Sequence, residues 1–232
     1  MNVRQAQSRY HISRLLRLIQ NRFRYHMKAQ PEIPDFPDVG LEMVRVSLKE
    51  IPQHDLPKDY HFRAYRHGDE EVWVHLQRAA ERIIPLEDLT LDLFENQFGK
   101  HREALCDRMF FVETGDGINA ASITAWWRTG RQIENDDDTG LIHWVVVHPD
   151  HQGRGLSKAM MTRALKRLSK SHGSASLYTS SHRLRAVKVY LDFGFEPERT
   201  SLIEEKILTA WRNVQSALEH SVLDALLPPD VD

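Results

Sequence analysis

One stretch constrains this chain more than any other: Leu141 to Leu156, LIHWVVVHPDHQGRGL. An apolar run meets Pro149, turns, passes through Gln152-Gly153-Arg154-Gly155 and opens into a helical pattern. Gly153 and Gly155 let the backbone approach a ligand closely. A helix that starts there aims several N–H groups, and its positive end, at one place. That is an anion cradle suited to a diphosphate, with main-chain amides doing the general work and Arg154 adding charge. A Gly-x-Gly turn is also an ordinary pair of turn glycines, so its meaning depends on the surrounding chain.

The surrounding chain alternates strand and helix. Tyr60 to Arg66 predicts a strand. Asp69 to Ile84 predicts a helix with Val72, Leu76, Ala79, Ala80 and Ile83 on one side. Leu86 to Leu105 predicts a second helical stretch, with Asp88 and Thr90 as possible caps. Met109–Glu113 and Ala120–Trp127 read as strands joined through Gly115-Asp116-Gly117 as a hairpin. After Leu141–His148 come a helix over Leu156–Ser169, a strand over Ala175–Thr179 and a helix over Arg183–Phe193. A last helix carries Ile207, Trp211, Val214 and Leu218 and stops before Pro228-Pro229. Such alternation predicts a layered α/β or α+β domain.

The flanks differ from this body. Residues 1–30 hold six arginines and Lys28 with no acid, against a net charge of −2 for all 232 residues, so the remainder stands at −9. Ile12, Leu15, Leu16, Ile19 and Phe23 form a stripe on that basic segment. It reads as a helix that packs on its own body or on a second copy, with an anionic surface or an organelle-targeting presequence as alternatives. No apolar block follows the early charges, so no secretory signal is expected. Five prolines between residues 31 and 57 predict an extended connector with at most a short edge strand at 41–48. The expected organisation is 1–55 as basic helix and connector, 56–200 as the main domain and 201–232 as a helical extension.

Composition removes several classes. With 41% hydrophobic residues and so small a net charge, the chain is expected to be globular rather than disordered. It is not a generic nucleic-acid coat, since a −9 body opposes phosphate. Cys106 is the sole cysteine, which excludes an internal disulfide and a cysteine-rich zinc site. No apolar run approaches the length of a membrane span.

Strand, proline, Gln152-Gly153-Arg154-Gly155 and helix start together resemble the acetyl-CoA motif of the GNAT acetyltransferase superfamily, Gln/Arg-x-x-Gly-x-Gly/Ala after a central strand. Gln152 and Gly155 match, and Ser157 stands where Gly or Ala is usual. Further on, Ala186, Tyr190, Gly194 and Phe195 match the family's Ala-x-x-x-Tyr-x-x-x-Gly-Phe. Arg183 takes the place of an Asn that the family often has there. The resemblance is sharp over 141–196 and pattern-poor over 58–140.

The resemblance implies a mixed, mostly antiparallel sheet splayed at a central strand, with helices on both faces and extra N- and C-terminal helices. The family's usual last strand is expected to be replaced by helix. The cofactor, acetyl-CoA as co-substrate, would lie in the gap with its pantetheine arm along Val145 and Val147. The Val145 amide would polarise the thioester oxygen. Gln152, Gly153, Arg154, Gly155, Leu156 and Ser157 would take the diphosphate. Tyr190 matches the family's acid for the departing thiolate, and a phenol of ordinary pKa about 10 can do that work. From helix spacing alone, Tyr190 is equally a packed core residue. Strand alternation places Leu141, His143, Val145 and Val147 on one side. There, by resemblance, His143 is the candidate base, or else a histidine satisfying a buried hydrogen bond.

The implied function is an N-acetyltransferase that moves an acetyl group to a primary amine by direct attack in a ternary complex. A catalytically inactive acyl-CoA-binding sensor or scaffold is the alternative. The acceptor is a small-molecule or peptide amine, with no nucleic acid, no membrane insertion, a possible homodimer and a cytoplasmic site. No metal is expected, because His148 would point away from His143 and His151 lies on the turn. Trp126 and Trp127 alternate faces, and Trp73, Phe94 and Phe98 lie in the region that shapes acceptor sites in the family; core packing is the alternative for each. The acidic loop Glu134–Asp138 reads as solvated, or as an attractor for a cationic amine.

Overall fold

Seven strands form one sheet in the computed structural model, which describes residues 33–127 and 139–227. They are β1 (Gly40–Arg45), β2 (Tyr60–Ala64), β3 (Met109–Thr114), β4 (Asn119–Trp127), β5 (Thr139–Val147), β6 (Ser174–Ser180) and β7 (Glu196–Pro197). Their order across the sheet is β2-β3-β4-β5-β6-β1-β7. Every pairing is antiparallel except β5 with β6, which is parallel from Thr139↔Ser174 to Ile142↔Leu177. The mixed, mostly antiparallel architecture expected from the sequence is therefore present.

Side chains alternate across the strands and fill two cores. On β4, Ala121, Ile123 and Ala125 face one core, and Trp126 faces the other. The first core takes Met160, Met161, Ala164, Leu165 and Leu168 from α4 (Leu156–Leu168) and Val187, Tyr190 and Leu191 from α5 (Leu184–Asp192). It also takes Ala210, Trp211 and Val214 from α6 (Glu205–Leu218). The second core is more aromatic. Trp73 and Leu76 of α1 (Asp69–Ala80) pack there with Phe94 and Phe98 of α2 (Leu91–Phe98) and with Phe111 and Trp126 of the sheet. Helices thus cover both faces.

Local signals set the element ends. Asp69, Glu70 and Glu71 place negative charge in the first turn of α1, where the helix end is positive. The Thr90 side chain accepts from the Leu93 N–H and caps α2. The helix expected over Leu86–Leu105 is broken, however. A short 3-10 turn at Leu86–Asp88 precedes α2, and a second at Gly99–Ala104 separates it from α3 (Leu105–Arg108). His101 takes a non-helical conformation within that second turn, which is where the helical period fails.

The proline-rich connector needs a correction. Gly40–Arg45 is not an edge strand, because β1 pairs with β6 over six residues and with β7 at Met43 and Val44. Its Leu41 and Met43 are buried in the first core. Prolines flank the strand at 37 and 52 and leave its donors free to pair. The sheet therefore takes in residues ahead of Leu56. At the other end, the two-residue β7 is followed by a 3-10 turn and α6. That helix ends at Leu218, and a short α7 (Ser221–Leu226) follows. The basic segment 1–30 and the acidic loop 134–138 lie outside the described residues. No helix among the described residues is long and apolar enough to cross a membrane.

Candidate active site

The site begins where β5 loses its neighbour. Beyond Ile142 no residue of β5 pairs with β6, so the edge of residues 143–147 that faces β6 is open. On the opposite edge the register with β4 slips. Thr124 stands opposite His143, but Ser122 stands opposite Val146, leaving Trp144 and Val145 to face the single residue Ile123. That is a β-bulge, and its strained member is Trp144, a bulky residue at φ 49°.

The bulge overturns one sequence expectation. An extra residue shifts the alternation by one, so Leu141, His143, Val145 and Val147 do not share a side. Leu141, Trp144 and Val146 lie with the aromatic core, while Val145 and Val147 pack on the other. His143 stays with the aromatic side, its ring 5.8 Å from Phe98. The same shift carries His148 to that side, 6.2 Å from His75 of α1 and not pointing away as expected. The described residues nevertheless contain no cluster fit for a metal ion.

The cradle follows. Gly153 and Gly155 have φ of 75° and 81°, a region that side-chain-bearing residues rarely adopt. Gly155 caps α4, and a Cβ built on it meets nothing within 4 Å. Among the described residues, the N–H groups of residues 153–158 make no hydrogen bond. Six consecutive donors at the positive end of a 13-residue helix fit a diphosphate well. Gln152 contributes differently from its neighbours. Its N–H goes to Pro149 O and its Nε2 to Val147 O, so it braces the turn against the end of β5. The Arg154 guanidinium donates to Asp150 O at 3.2 Å.

His143 is held by a residue the sequence reading missed. Gln97 Oε1 lies 2.8 Å from His143 Nε2 and accepts from Trp144 Nε1 at 3.3 Å. An indole nitrogen only donates, so the Gln97 atom facing it must be the oxygen. His143 Nε2 then carries the hydrogen, and Nδ1 keeps its lone pair. Burial pushes the imidazole pKa down to about 4, so the ring is neutral at physiological pH. Gln97 sits on α2, 46 positions from His143, with no motif around it.

Tyr190 lies on α5, 7% exposed, with its ring 6.2 Å from that of Phe195. Burial pushes its phenol up to about 12, and the positive charge of Arg183 pulls the other way. The hydroxyl has no hydrogen-bond partner among the described residues. Arg183, just ahead of α5, pairs with Glu81 at the end of α1, a second residue missed in the sequence. Trp126 and Trp127 stack at 4.2 Å, with Trp126 buried and the Arg108 guanidinium 4.7 Å from the Trp127 ring. Trp73, Phe94 and Phe98 are fully buried and form core.

Comparison with known proteins gives one consistent result. The model of the Acetyltransferase (GNAT) family matches residues 71–195. A mycothiol acetyltransferase of Kineococcus radiotolerans is 27% identical over 169 residues, covering 70% of this chain and 51% of the relative. Another, from Streptomyces bingchenggensis, is 29% identical over 159 residues, covering 66% and 48%. The chain thus spans about half the length of these curated relatives. Among solved structures, a GCN5-related N-acetyltransferase from Sphaerobacter thermophilus superposes with a TM-score of 0.56 at 17% identity, over 69% of this chain and 48% of that one. An acetyltransferase from Colwellia psychrerythraea gives 0.51 at 13% identity, over 70% and 55%.

Proposed function

The chain belongs to the acetyltransferase (GNAT) family, and from that premise we propose that it transfers an acetyl group from acetyl-CoA to a primary amine by direct attack in a ternary complex. The observation that carries this reading is the run of unpartnered amides at residues 153–158, set at the start of α4 beside the open edge of β5. Acetyl-CoA supplies the activated acetyl group. The chain's residues bind it, orient it and manage protons.

In this reading the amides of residues 153–158 take the diphosphate, with Arg154 adding positive charge beside them. Gln152 holds the turn that presents them. Val145 and Val147 offer backbone along the open edge for the pantetheine arm, and the Val145 amide polarises the thioester oxygen. Tyr190 keeps its proton at neutral pH and donates it to the departing thiolate. His143, neutral before reaction, takes the attacking amine's proton on its Nδ1 lone pair, and burial makes it release that proton to solvent, from which the Tyr190 phenolate is reprotonated. A small-molecule acceptor is supported by the two relatives named mycothiol acetyltransferase.

Calorimetry with acetyl-CoA and thiol release with tyramine, spermidine and glucosamine test the reading. The wild type is expected to bind acetyl-CoA at micromolar concentration and to release thiol when an accepted amine is added. Gly155→Glu places a carboxylate before the amides and is expected to weaken binding by about a thousandfold. No acetyl-CoA binding by the wild type would overturn the proposal. Tight binding with no thiol release for any primary amine would replace it with an acyl-CoA sensor.

A further inference from the structure

The splayed sheet has two sides, and one ion pair ties them together. α1 packs on β4 and β5 and ends at Glu81, while Arg183 follows β6 and leads into the helix that carries Tyr190. β5 and β6 have separated before this point. Arg183 Nη2 donates to Glu81 Oε1 at 2.9 Å and to Oε2 at 2.8 Å. Among the described residues no other hydrogen bond or ion pair joins residues 69–90 to residues 181–195.

The pair is built into its surroundings. The Glu81 side chain is only 6% exposed. Its Oε1 also accepts from the N–H groups of Arg82, Ile83 and Ile84 at 2.8, 2.7 and 3.2 Å. One carboxylate therefore gathers the turn that leaves α1 and hands it to Arg183. Burial alone would raise its pKa, but the Ile83 N–H and the Arg183 charge hold it lowered, so it stays ionised. The loop fixed in this way presents Ile83 and Leu86 at 37% and 45% exposure, apolar surface on the segment that the pair holds. A pair between two mobile surface side chains would add little. Here Arg183 is 38% exposed but Glu81 is buried, so loss of Arg183 leaves a buried carboxylate with no counter-charge and only the three loop N–H groups as partners.

We propose that Glu81 and Arg183 form a latch across the open side of the splayed sheet, with Arg183 the positioning residue that fixes loop 82–90 as a wall of the acceptor site against the helix of Tyr190. Its catalytic consequence rests on the transferase reading above; the latch itself does not. Arg183 stands where the resembling family often has Asn, and here its guanidinium is directed across the gap to Glu81.

The test compares wild type, Arg183→Gln, Glu81→Gln, the double variant and Arg183→Lys. The readouts are hydrogen exchange of amides 82–90, acetyl-CoA affinity and turnover of tyramine as the probe amine. In Arg183→Gln, exchange at 82–90 is expected to rise about tenfold as the loop opens locally. The KM for tyramine is expected to rise about fivefold, with acetyl-CoA affinity within about twofold of wild type. The double variant is expected to be no worse than the worse single one, since both residues act through one contact. Arg183→Lys, which keeps the charge, is expected to recover most of the loss and serves if the Gln variant does not fold. Unchanged exchange in Arg183→Gln, or fully additive effects, overturns the latch. If the wild type does not turn over tyramine, an amine accepted in the thiol-release screen replaces it as the probe; absent turnover with every amine overturns the transferase reading instead, and the exchange data still decide on the latch.

Discussion

The cradle at the start of α4 and the aromatic wall under α1 and α2 meet at β5, and they are made by different means. The cradle is main chain. Its donors come from six consecutive residues, and its demands on the sequence are conformational: glycine where φ is 75° and 81°, and a helix that starts on cue. The wall is side chain. Gln97 reaches 46 positions to His143 and 47 to Trp144, and the wall takes shape only because β5 bulges at a tryptophan. A ligand part common to a whole class of reactions can be held by amides every chain possesses. The part that varies must be met by side chains, and those are free to change.

Tyr190 breaks this division if it acts as the proposed proton donor, because it is then a side chain carrying chemistry in the cradle's half; a merely packed Tyr190 leaves the division intact. Tyr190→Phe is expected to lower kcat by about a hundredfold, the range for loss of a positioned proton donor. Acetyl-CoA affinity by calorimetry should stay the same, since the phenol makes no hydrogen bond to any of residues 153–158. An unchanged kcat would return Tyr190 to the core and leave proton delivery to solvent.

The same division explains what could be read before the fold was known. Strand, Gly153, Gly155 and helix are adjacent in sequence, so their geometry is written locally, and β2 through β6 largely follow their patterns. Glu81 and Gln97 carry no local signal, because each acts through a partner brought close only by the sheet. The bulge was equally hidden. Alternation is a rule of regular strands, and a single inserted residue reverses every assignment beyond it. It moved Val145 and Val147 to the face opposite His143. β1 was misplaced for a related reason: prolines on both sides of Gly40–Arg45 argue for a connector, whereas its interior place depends on β6, 130 to 140 positions later, taking it as a partner.

His143 sharpens the comparison from the wall's side. Its folded pKa, about 4, lies below the ordinary histidine value of about 6.5. Between those two values the unfolded chain holds more protons than the folded one, so stability rises with pH across the window. The contribution is fully present above about pH 6.5 and is lost as pH falls through 4. Allowing for partial solvent contact, it amounts to about 2 kcal/mol. Urea unfolding of wild type and His143→Phe at pH 7.5, 6.0 and 5.0 reads it as a difference between two slopes. Parallel profiles would mean that the imidazole is not held neutral, and would reopen its assignment as a base that keeps the proton.

The smallest effect probes the cradle most finely. Gly155→Ala adds one methyl in a left-handed conformation, which costs about 1 kcal/mol of backbone strain, and that methyl meets no protein atom within 4 Å. If glycine is needed there only for φ, part of the strain appears as lost thermal stability and acetyl-CoA affinity falls by about fivefold or less. A loss as deep as that of Gly155→Glu would mean that the ligand itself fills the space before Gly155 to van der Waals contact. The two outcomes separate a glycine that shapes the backbone from one that clears room. The open surroundings of Gly155 and its φ of 81° favour the first.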